Sequence, residues 1–332
     1  MDISSNPAVG RGPHQAPHGK ARDFLARFRG GDEIAHLATL IFAAGVVVLT
    51  SLLVYELWVN SALSRHTFGW KFFITSAWDP VFNHFGALPF LYGTVVTSIV
   101  ALLIAVPLGV GAAIFLAEFA PPRVSDMLAF VIALLAAVPS VIYGLLGIFV
   151  IVPFVRSVLG PFLHSTLGFL PLFKGPSYGV GVLTASLVLT VMTVPFIISV
   201  SREVLLAVPR EQREAALALG ATRWESTIRV VVPFARSGIA GSIFLAMARA
   251  LGETMAVTMV IGNDPRINAS LLAPGYTIAA VIANEFTEAT GTLYIQALIE
   301  LGLVLFLVTF ILNGLARLMI IATGQRGGTL PA

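Results

Sequence analysis

Residues 241–262 read GSIFLAMARALGETMAVTMVIG. The stretch is apolar enough to cross a bilayer, as part of a span expected over 237–262, yet it carries Arg249 and Glu253 near its middle. An ionisable side chain at bilayer depth costs about 2.5–3.5 kcal/mol on insertion scales. A spacing of four places the two on one helical face, with Arg249 a turn before Glu253. Either they neutralise each other inside a helical bundle, or they meet something charged that passes through. This pair is the first candidate functional site.

The rest of the chain sets the class. Only 11% of the residues are charged and 57% are hydrophobic, with a mean hydropathy of +0.91. A soluble protein of 332 residues has too much surface to cover with so few charges. Several apolar runs reach the roughly 20 residues that a transmembrane helix needs, and none alternates as barrel strands do. The expected fold is therefore an all-α polytopic membrane protein. With no cysteine, disulfides, thiol nucleophiles and Cys-ligated metals are excluded, and the six scattered histidines show no ligand spacing. No cofactor is expected. The net charge of +3 reads as membrane topology rather than nucleic-acid binding, because the basic residues cluster in particular loops.

Six spans are expected, at about 34–57, 88–118, 126–153, 179–202, 237–262 and 292–321. A polar tail over 1–33 precedes them and a short tail over 322–332 follows. A cleavable signal peptide is not expected, since about thirty polar residues precede the first apolar run. With both ends inside, the interior segments hold Arg11, Lys20, Arg22, Arg27, Arg29, Arg123, Arg202, Arg210, Arg213, Arg223, Arg229, Arg236, Arg317 and Arg326. The exterior loops hold only Arg65, Lys71, Arg156, Lys174 and Arg266. The positive-inside rule then predicts cytoplasmic termini and a multi-pass protein of the bacterial cytoplasmic membrane. The outer segments HTFGWKFFITSAWDPVFNHFGALP (66–89) and GPFLHSTLGFLPLFKGPS (160–177) read as aromatic anchors along the interface.

Between the fourth and fifth spans runs REVLLAVPREQREAALALGATRWESTIRVVVPFARSG, residues 202–238. It is too polar to cross the membrane but is built as helices. Pro209 suits a helix start, with Glu211, Gln212 and Glu214 near its positive end, and Gly220 suits a left-handed stop. A second helix is expected from about Thr222 to Val232, ending before Pro233. By periodicity alone this is an amphipathic connector. The spacing says more: Glu214-Ala215-Ala216, three residues, Gly220, nine residues, then Val230-Val231-Val232-Pro233 resembles the EAA loop of ABC importer permeases. That resemblance implies that 203–236 is a coupling loop docking on a separate ATPase, with Glu214, Ala215, Ala216, Gly220 and Pro233 as its signature. The chain itself has no G-x-x-x-x-G-K-[ST] phosphate-binding loop and is not expected to be an enzyme.

ARALGETMAVTMVIGN (248–263) resembles the fifth-span segment of PstC-type permease subunits of phosphate-specific ABC importers. PLGVGAAIFLAEFAPP (107–122) and AVPSVIYGLLG (137–147) resemble their second and third spans. The resemblance implies a type I, MetI-like permease domain over 88–321, with the first span and its outer loop (34–87) peripheral. It also implies a PstA-like second permease subunit, two PstB-like ATPase subunits, a PstS-like phosphate-binding protein, and inorganic phosphate as substrate. An arginine fork suits phosphate oxygens, and a nearby carboxylate would hold the arginine and weaken the site enough for the ion to leave. Glu300 and Asn313 in the last span read as packing or helix-end residues. Pro107, Pro139 and Pro195 fall inside spans, where they free backbone carbonyls. The alternatives are a permease for another oxyanion such as molybdate or sulfate and, from a different class, an ion-coupled secondary transporter. The latter predicts an internal repeat, and none is evident.

Overall fold

In a computed structural model, residues 32–324 are described; most of the tail residues expected over 1–33 and 322–332, with Arg11, Lys20, Arg22, Arg27, Arg29 and Arg326, lie outside them. The described residues are almost entirely helical, with two isolated bridges, Asp79–His84 and Gly262–Gly275, and no strand. In chain order the main helices are α1 (Asp32–Asn60), α2 (Ala62–Phe68), α3 (Leu88–Ile114, continued by a wide π turn to Phe119), α4 (Pro122–Ala136), α5 (Ser140–Leu167), α6 (Val182–Leu206), α7 (Arg210–Ala218), α8 (Arg223–Leu251), α9 (Met255–Thr258), α10 (Ile278–Glu285) and α11 (Thr292–Gly324). Six of the described helices, α1, α3, α5, α6, α8 and α11, are long and apolar enough to cross a membrane.

The chain divides after Glu56. In the first unit, the α1 side chains Leu40, Phe42, Val46 and Leu49 are exposed, an apolar surface suited to lipid or to another apolar helix. The second unit, from Leu57 onward, is a bundle built around α6. Along α6, Leu189, Met192, Thr193, Ile197, Ser201 and Leu205 are all fully enclosed. Its buried hydroxyls find partners inside the helix or on its neighbours: Thr193 Oγ1 donates to the Leu189 carbonyl at 2.8 Å, Thr184 Oγ1 to the Gly179 carbonyl, and Ser201 pairs with Ser242.

Prolines set where helices begin. Pro89 and Pro122 sit in first helical turns, where the missing N–H is unneeded, and Pro139 and Pro209 stand immediately before α5 and α7. Pro107 and Pro195 remain inside continuous helices, as their place within spans predicted.

Three expectations are corrected. The third span, expected over 126–153, is a broken crossing: α4 stops at Ala136, and α5 restarts at Ser140 and runs to Leu167. Arg202, near the end of α6, bonds Ser125 and Asp126 at the start of α4, whereas Val155 of α5 packs on Val182 and Leu183 at the other end of α6. The break at 137–139 therefore lies abreast of the middle of α6. The fifth span, expected over 237–262, starts and ends earlier, because α8 runs unbroken from Arg223 to Leu251 through a π turn at Thr227–Val231. That turn immediately precedes Pro233, whose ring needs a loosened hydrogen-bond ladder, so no helix ends there.

The third correction concerns the aromatic stretch 66–89, which does not lie only along a surface: part of it packs inward as a cap, while Trp70 and Phe82 stay exposed. Phe72 and Phe85 are fully buried, and the Trp78 ring meets Phe85 and Phe90 edge-on at 4.9 and 4.7 Å. Trp78 Nε1 and Tyr294 Oη both donate to Glu285 Oε2, at 2.8 and 2.6 Å, and this fixes the cap on α10 and α11. Burial pushes the nearby Tyr276 hydroxyl, which accepts from Asn284, up to about 12.

Gly93 makes the tightest approach in this region, since a Cβ there would lie 2.1 Å from the Tyr276 carbonyl oxygen. Gly93→Val is expected to lower the thermal unfolding midpoint of the detergent-purified protein, an overpacking cost of about 1–3 kcal/mol. Gly111→Ala, where a Cβ meets nothing within 4 Å, is expected to leave it unchanged. Equal midpoints for the two variants would refute this packing.

Candidate functional site: a charged break halfway through the bundle

α8 packs along α6 through small residues. Ser242 Oγ and Ser201 Oγ are 2.7 Å apart, and Ala246 meets Ala105 and Ile197. One turn further on, the Arg249 guanidinium lies 5.8 Å from the centre of the Phe196 ring. Phe196 is near the midpoint of α6, so Arg249 sits about halfway through the bundle. A cation at that distance from a ring face gains some of the stabilisation it lost with water.

The helix ends two residues later for a local reason. Gly252 takes the closing position with its N–H on the Ala248 carbonyl, and Glu253 already lies outside α8. Glu253 Oε1 accepts from the Ala256 N–H at 3.3 Å, capping the single turn α9. The expectation that a spacing of four places Arg249 and Glu253 on one helical face is thus corrected, and of the two readings left open for them, mutual neutralisation is not what the structure has. Among the described residues no carboxylate lies within 4.0 Å of the Arg249 guanidinium. A glycine between them ended the helix before the spacing of four could act.

The break at 252–254 faces the break at 137–139. A Cβ on Gly144 of α5 would lie 3.2 Å from Ala256 Cα, and Gly147 is pressed as closely against Val188 and Val260. Tyr143 Oη donates to the Leu135 carbonyl at 2.6 Å, a second donor to an acceptor that also takes the Val138 N–H at 3.2 Å within the α4–α5 break. Tyr143 is also within electrostatic reach of Arg249. Two interrupted crossings, one ring face and one cation free of any carboxylate therefore meet at a single depth. Non-helical backbone at membrane depth is tolerated where it is enclosed by protein or lines a cavity.

At the end of α6 the 203–236 segment forms a projecting elbow. α7 ends at Leu219, Gly220 adopts φ +88°, and Thr222 then starts α8 with a capping box. Thr222 Oγ1 accepts from the Glu225 N–H, and Glu225 Oε2 accepts from the Thr222 N–H at 2.9 Å. Glu214, Ala215, Gly220 and Pro233 are exposed and Ala216 is half-buried. Leu219 is 89% exposed at the tip. Residues not singled out from the sequence hold this elbow. Arg213 binds Glu118 with Nη2–Oε1 at 2.8 Å, and its Nη2 also donates to the Leu205 carbonyl at 2.8 Å. Lone charges at the edges of apolar runs were the available signal, but their pairing across 95 positions is invisible without the fold.

In the last span, Asn313 Nδ2 donates to the Thr309 carbonyl at 2.8 Å, and Glu300 is 2% exposed beside Ser64 and Arg65, with its Oε2 lacking a hydrogen-bond partner among the described residues.

This arrangement of six apolar helices, two broken crossings and an amphipathic elbow is that of an ABC importer permease. Residues 105–320 match the family described as binding-protein-dependent transport system inner membrane component. The chain is 46% identical over 308 residues to the phosphate transport system permease protein PstC of Mesorhizobium japonicum, covering 92% of this chain and 94% of that one. It is 47% identical over 296 residues to PstC of Xylella fastidiosa, covering 88% and 91%. The chain belongs to this family of inner-membrane permease components, in its PstC branch. Among solved structures, it is similar to a chain of the MetNI methionine ABC transporter in an inward-facing conformation (TM-score 0.52, 16% identity, 70% of this chain and 94% of that one). It is also similar to a chain of a bacterial alginate ABC transporter (TM-score 0.57, 15% identity, 88% and 96%). Those likenesses concern the fold.

Gly220 has open space around it but a left-handed backbone. Gly220→Ala is expected to cost about 1–2 kcal/mol, read as a lower thermal midpoint, and Gly220→Val more. A midpoint unchanged in both variants would show that the elbow does not need this conformation.

Proposed function

We propose that this chain is a permease subunit of an ATP-driven ABC importer that moves inorganic phosphate across the bacterial cytoplasmic membrane. The observation that carries the reading is Arg249, a guanidinium halfway along the bundle with a ring for a neighbour and no carboxylate within salt-bridge reach. A permanently charged residue at that depth has a large solvation deficit, which an anion in transit relieves. Phosphate carries between one and two negative charges at neutral pH, and its oxygens match the planar fork of arginine. Family membership and the PstC relatives favour phosphate over molybdate or sulfate. Glu253, at the same break, lowers the local positive potential and keeps the site weak enough to release its ion.

The rest of the assembly follows from the same reading. The exposed Glu214, Ala215 and Gly220 and the half-buried Ala216 form the docking elbow for an ATPase, of which a two-fold importer needs two, PstB-like. A PstA-like second permease completes the pathway, and a PstS-like receptor delivers phosphate at the end that carries the aromatic cap. The elbow end, with Arg123, Arg202, Arg210, Arg223, Arg229 and Arg236, faces the cytoplasm.

Arg249→Gln is expected to abolish uptake of radiolabelled phosphate at unchanged membrane abundance. Arg249→Lys is expected to restore a minor part, because losing charge-assisted bonds of about 1.5–3 kcal/mol slows passage at least tenfold. Parent-level uptake by Arg249→Gln would remove the arginine from the pathway. The orientation is checked by single cysteines, since the chain has none. An impermeant external thiol reagent is expected to label a cysteine at 266 but not at 223, and the reverse pattern would invert the topology.

A further inference from the structure

We propose that Arg213 is the mechanical joint through which movement of α7 reaches the membrane-crossing helices, with Glu118 as its socket. The inference rests on the importer reading above. It concerns a positioning residue, since nothing in the geometry brings Arg213 near the Arg249 break.

The joint has an unusual number of attachments for one side chain. Arg213 is the fourth residue of α7 and points back into the bundle, its side chain 20% exposed, while Glu118 is 10% exposed. Nε lies 3.2 Å from both carboxylate oxygens of Glu118, and Nη2 lies 2.8 Å from Oε1. Nη1 donates to the Val208 carbonyl and Nη2 also to that of Leu205. Those carbonyls belong to the last turn of α6 and the residues just beyond it, where acceptors have no partner inside the helix. One guanidinium thus ties three elements: α7, which carries it; the end of α6; and the π turn that ends α3. A fork of five donors serves such a set, and a lysine ammonium does not.

The surroundings suit transmission rather than simple adhesion. The pair lines an open hollow of about 370 Å³ together with Ala117, Leu206, Arg210 and Glu214, beside an apolar cluster in which Leu116, Leu205 and Val208 already join α3 to the end of α6. α3 and α6 are packed together along their length, with Gly109 of α3 pressed against Ile197 of α6. Ile197 adjoins Phe196, the ring beneath Arg249. A second arginine, Arg202, binds Ser125 and Asp126 and so adds α4 to the same end of α6. A displacement of α7 consequently pulls on α6 and α3 together, and the helix it pulls on forms one wall of the Arg249 site. Partly buried charge pairs resist separation, because parting them strands both charges.

The full complex reconstituted in vesicles tests this by measuring phosphate imported per ATP hydrolysed and the ATPase subunit retained. Arg213→Ala is expected to keep the ATPase bound and hydrolysing while the ratio falls by about tenfold or more, within the usual range of coupling free energies. Arg213→Lys and Glu118→Gln, which keep part of the attachment, should fall between it and the parent. Arg210→Ala removes a neighbouring exposed cation from the same helix and should leave the ratio unchanged. An unchanged ratio in Arg213→Ala overturns the joint. So does an equal loss in Arg210→Ala, which would make the effect one of general charge. Loss of the ATPase subunit from the Arg213 and Glu118 variants alike would also overturn it, since the pair would then serve docking. A parent complex that imports no phosphate would instead overturn the importer reading.

Discussion

α6 is the helix against which the other crossings of the bundle take their depth. Most of its side chains are enclosed, Ser186 and Thr193 donate to carbonyls of their own helix, Ser201 pairs with Ser242 of α8, and its two ends are tied to different partners. At one end Val182 and Leu183 meet Val155 of α5, and the Val182 N–H donates to the Ala273 carbonyl at 3.1 Å. At the other end Arg202 holds α4, and Arg213 closes the last carbonyls. Neither α4, with fifteen residues, nor the single turn α9 could hold a place in hydrocarbon alone. Their broken ends are kept in register because both lean on this enclosed rod.

The charge at the centre follows from that support. An arginine at such a depth is costly on any scale, and a structural ion pair would have been the simplest remedy. Gly252 removes that remedy by ending α8 before Glu253, and the carboxylate is used to cap α9 instead. Phe196 gives partial relief, worth at most about 2 kcal/mol in a desolvated setting. In the importer reading proposed above, the residual deficit is what selects an anion that passes without staying.

Much of this was legible in the sequence. The apolar runs of 88–118 and 179–202 carry no competing breaker that stops a helix, and α3 and α6 fill them closely. Gly220 announced its turn because only a glycine accepts that backbone without strain, and Thr222 with Glu225 carried the next start. What failed was local punctuation set by tertiary context. Pro139 and Pro233 look alike in sequence, yet one ends a crossing and the other is absorbed by a π turn. The aromatic stretch 66–89 has the composition of an interfacial anchor, and it folds inward because Glu285 and Tyr294, more than two hundred positions away, offer Trp78 a polar partner and a ring face. Arg213 and Glu118 went unnoticed for the same reason.

α8 also has a gearing. It runs unbroken from Arg223 to Leu251, and it meets α6 near its middle, where the Ser242 and Ser201 hydroxyls touch and Gly238 lets Val204 in. At 1.5 Å of rise per residue, Arg249 lies about 10 Å beyond that fulcrum and Arg223 about 28 Å before it. A rod pivoting there is a reducing lever: a swing of about 3 Å at the elbow becomes about 1 Å at the guanidinium. One ångström is enough to make or break a hydrogen bond and too little to open the bundle. The position of a single serine contact thus sets large travel at one end against fine adjustment at the other.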